Sequence, residues 1–146
     1  MSVTIRQAEA ADRTRCLELL QDLSAATGGV MDPAAGRVFE RLLDGERGRV
    51  LVAEEDGALL GLASISFNLA MRYGGEYCQL EELIVDPGAR GKNVGGLLVA
   101  ATLERARERG CVEYGLYLVP ATEQNWPFYR KYGFEKAGTE LRQRLS

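Results

Sequence analysis

Between Tyr77 and Ala101 the chain changes its hydrophobic period, and no other feature constrains its fold as strongly. Residues Tyr77 to Val85 alternate in the two-residue rhythm of a strand. Asp86-Pro87-Gly88 breaks that strand, a Gly/Arg/Lys loop follows, and Val94, Leu97, Leu98 and Ala101 recur at helical spacing. A strand that leads through a small-residue loop into an amphipathic helix places the chain among mixed α/β folds.

The remaining patterns fill in the order. Val3 to Gln7 is strand-like, and Asp12 opens a helix with Cys16, Leu19, Leu20 and Leu23 on one face. Thr27 to Pro33 is turn-rich, and Asp32-Pro33 starts a second helix through Leu43. Strands are expected at Val50 to Glu54 and, after the Asp56-Gly57 hairpin signal, at Leu59 to about Asn68. The Gly74-Gly75 turn leads into the strand ending at Val85, and Gly110 caps the helix that follows the loop. Glu113 to Val119 reads as strand, Trp126 to Tyr132 as a short helix, and the tail from Phe134 as strand. The 146 residues carry no repeat, linker or low-complexity tract, so residues 1–146 are expected to form one α/β domain.

Composition narrows the chemistry. The chain has no histidine, which removes Ser-His-Asp and Cys-His catalysis, the usual zinc sets and the commonest general base. Eighteen basic against twenty-one acidic side chains disfavour nucleic acid as the main partner. Cys16, Cys78 and Cys111 are widely spaced and fit small apolar residues in a reducing compartment better than a disulfide frame or a metal site. Cys78 has no histidine or paired base beside it to make it a nucleophile. With no signal segment and no run of 18 apolar residues, a cytoplasmic location away from membranes is expected.

The loop from Asp86 to Gly96 has the chemistry of an anion cradle. A helix N-terminus offers unpaired N–H groups and a positive dipole end, small residues let a phosphate approach, and Arg90 and Lys92 add charge. The competing reading is a flexible surface turn. A Walker A loop ending at Gly91-Lys92 would need Gly at 86 and Ser or Thr at 93, where Asp86 and Asn93 stand, and no GxGxxG is present. Arg90-x-x-Asn93-x-Gly95, preceded by strand-Asp-Pro and followed by a Leu-Leu helix, resembles the acetyl-CoA loop of the GNAT superfamily of N-acetyltransferases, Gln/Arg-x-x-Gly-x-Gly/Ala. Asn93 stands where Gly is common, and Asn is the non-glycine residue that best tolerates the left-handed region.

Thr122 to Phe134 resembles that family's second motif, whose ending Phe/Leu-Tyr-x-x-x-Gly-Phe is matched by Tyr129, Gly133 and Phe134. The family often has Asn seven residues before this Tyr; here Thr122 takes that place, and Asn125 stands four before. Acyl transfer from a thioester expels a thiolate, and a phenol of pKa about 10 can protonate a sulfur of pKa about 8.5. Tyr129 therefore has a chemical role open to it, against the alternative of an aromatic helix face made by Trp126, Phe128, Tyr129 and Tyr132.

An amine nucleophile needs a base or a water relay. Period-two parity puts Cys78, Leu80, Glu82 and Ile84 on one face and Tyr77, Gln79, Glu81, Leu83 and Val85 on the other. Glu82 is then a carboxylate on an apolar face, where desolvation raises its pKa. A bulge would exchange the faces and favour Glu81, and a Glu simply satisfied at the strand's edge is the structural alternative. In the resemblance Glu82, placed in Glu-Leu-Ile-Val-x-Pro, matches the catalytic or water-orienting Glu of several GNAT enzymes.

The resemblance implies a central, mostly antiparallel sheet splayed between its fourth and fifth strands, with about four helices. It implies acetyl-CoA as co-substrate, no metal, and direct transfer to a primary amine of a small molecule in a ternary complex. Arg90, Gly91, Lys92, Asn93, Val94, Gly95 and Gly96 would hold the pyrophosphate, Leu83, Ile84 and Val85 would pair with the pantetheine arm, and Asn125 and Tyr129 would complete the cofactor contacts. Alternatives are a protein or peptide amine as acceptor, or a non-catalytic acyl-CoA-binding regulatory module; a homodimer is a further partner option. Asp32, Glu76, Glu81 and Glu82, if gathered in one cleft, point to a cationic amine such as a polyamine or aminoglycoside, with an aminophosphonate as runner-up; scattered, they are ordinary solvated surface.

Overall fold

Four strands laid antiparallel and a fifth added parallel make the frame on which the loop and Glu82 are carried. The computed structural model describes residues 2–146, which divide into one unit through Leu116 and a second from Tyr117 to Ser146.

In the first unit, β1 (Thr4–Gln7), β2 (Gly48–Glu55), β3 (Ala58–Ala70), β4 (Gly75–Val85) and β5 (Tyr114–Leu116) lie in the order β1-β2-β3-β4-β5. The helices are α1 (Arg13–Ala26), α2 (Ala35–Leu42) and α3 (Val94–Arg109). One core layer joins Cys16 and Leu19 of α1 and Phe39 of α2 to Val50, Val52, Leu59, Leu62 and Ile84 of the sheet. On the other face α3 packs against β2, β3 and β4, burying Val94, Leu98, Val99, Thr102 and Ala106. Covered on both faces, β2 reads as the unbroken apolar run Val50-Leu51-Val52-Ala53, every residue of which is buried. The Tyr114 hydroxyl donates to Thr102 Oγ1 at 2.7 Å, satisfying the buried threonine from β5.

The second unit holds a 3-10 turn over Pro120–Asn125 and the short helix α4 (Trp126–Arg130). Its aromatic rings pack edge-on: Phe128 on Tyr129 at 5.0 Å between centroids, and Tyr129 on Phe134 at 6.1 Å. Among the described residues no helix is long and apolar enough to cross a membrane.

The expected order holds as far as β5, with shifted limits. The second helix starts at Ala35 rather than Asp32, because the Asp32 carboxylate accepts the Ala34 N–H at 2.8 Å and makes a turn first. The expected strand Glu113 to Val119 shortens to Tyr114–Leu116, and the helix from Trp126 ends at Arg130. The terminal strand is not formed: residues 134–146 carry neither helix nor strand. Gly138 interrupts that segment, and Leu141 and Leu145 are 91% and 90% exposed, so it has no buried face to hold a strand register.

Candidate active site

Asp86 closes β4 with an Asx turn. Its carboxylate accepts the Gly88 N–H at 2.8 Å and pairs with Arg15 of α1 at 2.5 Å, and both partners hold it below the ordinary carboxylate value, Gly88 foremost. Gly91 (φ +87) and Asn93 (φ +56, ψ +32) are left-handed, so the chain turns sharply into α3. The first bond across the helix start runs from Leu97 N–H to Asn93 C=O at 3.0 Å, leaving the earlier N–H groups of Val94, Gly95 and Gly96 aimed out of the helix start. If this turn shapes the acetyl-CoA cradle that the resemblance implies, Asn93→Gly should leave acetyl-CoA affinity intact. Asn93→Val, whose branched side chain meets a penalty of about 1–2 kcal/mol in this region, should weaken it. Calorimetry with acetyl-CoA reads the difference, and equal affinities for both variants would show that the turn does not shape the cradle.

Arg90 is exposed at this loop, but Lys92 is engaged: its ammonium pairs with Glu55 at the end of β2. To serve as the phosphate ligand expected of it, Lys92 would have to give up Glu55. Nothing in the sequence around Lys92 marks Glu55, because the contact joins residues 37 apart.

β4 supplies two further features. Its parallel ladder with β5 involves only Cys78, Gln79 and Leu80, while β4 continues to Val85. The main chain of Leu83, Ile84 and Val85 thus has a ladder partner only in β3, at Ala63, Leu62 and Gly61. This is the splay between the fourth and fifth strands, and it leaves an open strand edge of the kind an extended chain can join.

The second feature corrects the parity. β3 and β4 pair as Ser64↔Glu82 and then Ile65↔Leu80, so Glu81 is an extra residue and the strand bulges there. Directly opposed residues share a face, so Cys78 and Leu80 go with Phe67 and Ile65, whereas Glu82 and Ile84 go with Ser64 and Leu62. Glu82 therefore does not share a face with Leu80 and Cys78; one inserted residue inverts the alternation. The carboxylate lands on the α1–α2 side. Glu82 accepts a hydrogen bond from the buried Ser64 hydroxyl, yet desolvation dominates and raises its pKa above the ordinary value, with Glu81 adding in the same sense. Glu81 itself is exposed and accepts from Ser66 Oγ at 2.6 Å.

Glu82 and Ser64 line a cavity of about 320 Å³ under α1, the loop after it, and α2. Of the four acids considered together, only Glu82 and Asp32 line this cavity. Glu76 is bound to Arg109 at 2.8 Å, which holds its carboxyl below the ordinary value. Ser64 and Arg15 are the residues sequence reading missed; only the register across β3 and β4 could have found the first, and no local signal marks the second.

The second unit carries Tyr129, buried to 8% exposure, and burial raises its phenol above the ordinary value. Asn125 precedes α4, exposed and with no side-chain cap bond. The thiols are unsuited to attack: burial pushes Cys78 up to about 12 and Cys16 up to about 11.

A mixed sheet splayed after its fourth strand, with a small-residue loop opening the following helix, defines the GNAT-type α/β fold. The model of the Acetyltransferase (GNAT) family matches residues 16–134, and the chain belongs to that family. It is, accordingly, an acetyl-CoA-dependent N-acetyltransferase. The chain is 32% identical to glucosamine 6-phosphate N-acetyltransferase 1 of Oryza sativa subsp. japonica, covering 94% of this chain and 84% of that protein. It is 27% identical to glucosamine 6-phosphate N-acetyltransferase of Trypanosoma brucei brucei, covering 97% and 95%. A crystal structure of a Trypanosoma brucei acetyltransferase matches with a TM-score of 0.80 at 26% identity, covering 99% of this chain and 100% of that one.

Proposed function

We propose that the protein transfers the acetyl group of acetyl-CoA to the primary amine of a small molecule, directly within a ternary complex, in the cytoplasm, with residues 1–146 acting as one domain. The family match, which runs through both units, supports the last point. The carrying observation is that one strand supplies both requirements: Glu82 faces a cavity, and the open main chain of Leu83 to Val85 follows it directly.

Bound acetyl-CoA supplies an activated acetyl thioester; the chain's residues do the rest. The helix-start N–H groups of Val94, Gly95 and Gly96, with Gly91, Asn93 and Arg90, suit the pyrophosphate, and Lys92 joins them on leaving Glu55. Main-chain groups of Leu83, Ile84 and Val85 receive the pantetheine arm and polarise the carbonyl. Glu82, with its raised pKa, takes the proton from the amine directly or through water as the N–C bond forms. The C–S bond breaks, and Tyr129 gives a proton to the departing sulfur, a role its buried, protonated phenol and the Tyr-x-x-x-Gly-Phe ending support. Acyl-enzyme chemistry is disfavoured by the high pKa of the buried thiols. The amine-acetylating names of the relatives support a small-molecule acceptor.

Thiol release from acetyl-CoA across an amine panel tests the reading. Saturable turnover with intersecting initial-rate lines is expected, since both substrates must be bound together. Parallel lines would indicate a covalent intermediate and refute direct transfer. A rise in Tm with acetyl-CoA but no amine-dependent release would refute the proposed activity.

A further inference from the structure

Resting on the acetyl-transfer reading, the cavity beneath α1 and α2 also describes its acceptor. Its walls are apolar: Leu17 and Leu20 from α1, Val38, Phe39 and Leu42 from α2, and Leu62 from β3. The apolar character continues outward to the surface, where Val30 is 95% and Val38 50% exposed although both line the cavity. Apolar surface left facing water at a concave site is favourable to cover. The charged side chains lining it among the described residues are the carboxylates of Glu82 and Asp32. Two acids attract an ammonium and repel a phosphate. At about 320 Å³ the space lies at the small end of ligand pockets.

We propose that the acceptor is a small primary amine on an apolar tail, without a phosphate, its tail lying between α1 and α2 and its nitrogen toward Glu82. Such an acceptor differs in class from glucosamine 6-phosphate, the one that the relatives' names carry.

The test is a series of n-alkylamines from propylamine to hexylamine, with glucosamine 6-phosphate alongside, in the thiol-release assay. Each methylene buried should raise kcat/KM about fourfold until the cavity is full. Val38→Lys, at a half-exposed position, should flatten that rise by placing a cation against the ammonium and the tail. Leu20→Ala, which enlarges the cavity without charging it, should move the optimum to a longer amine. A flat series, or a higher kcat/KM for glucosamine 6-phosphate than for hexylamine, overturns the inference and leaves acetyl transfer standing. If no amine turns over, titrating the same series from propylamine to hexylamine into the protein with CoA decides. Affinity that climbs with chain length supports the apolar cavity and removes only the catalytic reading; absence of binding overturns the inference.

Discussion

Tyr129→Phe is expected to lower kcat by about 10²- to 10⁴-fold, the usual range for losing a positioned proton donor, with KM for acetyl-CoA little changed. Phenylalanine keeps the ring that packs on Phe128 and Phe134 and removes only the hydroxyl, so packing and fold should persist. The phenol's pKa is raised by burial, so it stays protonated through neutral pH. The parent should accordingly show no loss of kcat from this group below about pH 10. Steady-state kinetics of variant and parent decide the matter: equal kcat values would leave Tyr129 as part of an aromatic cluster and nothing more.

Glu82→Gln should cost about 10²-fold or more in kcat at neutral pH, and its signature is in the pH dependence. Because burial lifts the Glu82 pKa, the acid limb of the parent's kcat should lie above the ordinary carboxylate range, and the variant should lose that limb. Stability runs the opposite way. Between the unfolded pKa and the raised folded pKa the native state holds more protons than the unfolded chain, so ionising Glu82 costs stability as pH rises through that window. Above it the cost is complete. Glutamine still accepts from Ser64 without a charge, so the variant should melt higher than the parent at pH 7–8, by about 2–4 °C for each kcal/mol relieved. The gap should close near pH 4, where the parent is protonated in both states. A variant that melts lower at every pH would contradict a desolvated acid at this position.

Several parts of the site were legible in sequence because their causes are local. The Asp-Pro-Gly stop after Val85, the left-handed tolerance of Asn93 and the Gly110 cap each depend on the residue and its immediate neighbours, and each takes the expected form. The terminal strand was not legible, since a tail from Phe134 is a strand only if a neighbouring edge accepts it, and here none is formed. Lys92 and Glu55 illustrate the same limit for charge: composition of a loop shows which cations it holds, not which acids the fold sets beside them.

By itself the sequence determined the order of elements through β5 and the strand-to-helix loop, and it offered one carboxylate and one phenol as candidates for proton transfer in a histidine-free chain. The tertiary structure decided where that carboxylate lies. The bulge at Glu81 exists only because β3 and β4 pair with one residue more on β4 between Ser64↔Glu82 and Ile65↔Leu80. That register is a balance of contacts between distant segments, invisible to a pattern read along one strand. It carries Glu82 away from the face of Leu80 and Cys78 and into the cavity with Asp32, while Arg109 takes Glu76 and solvent takes Glu81.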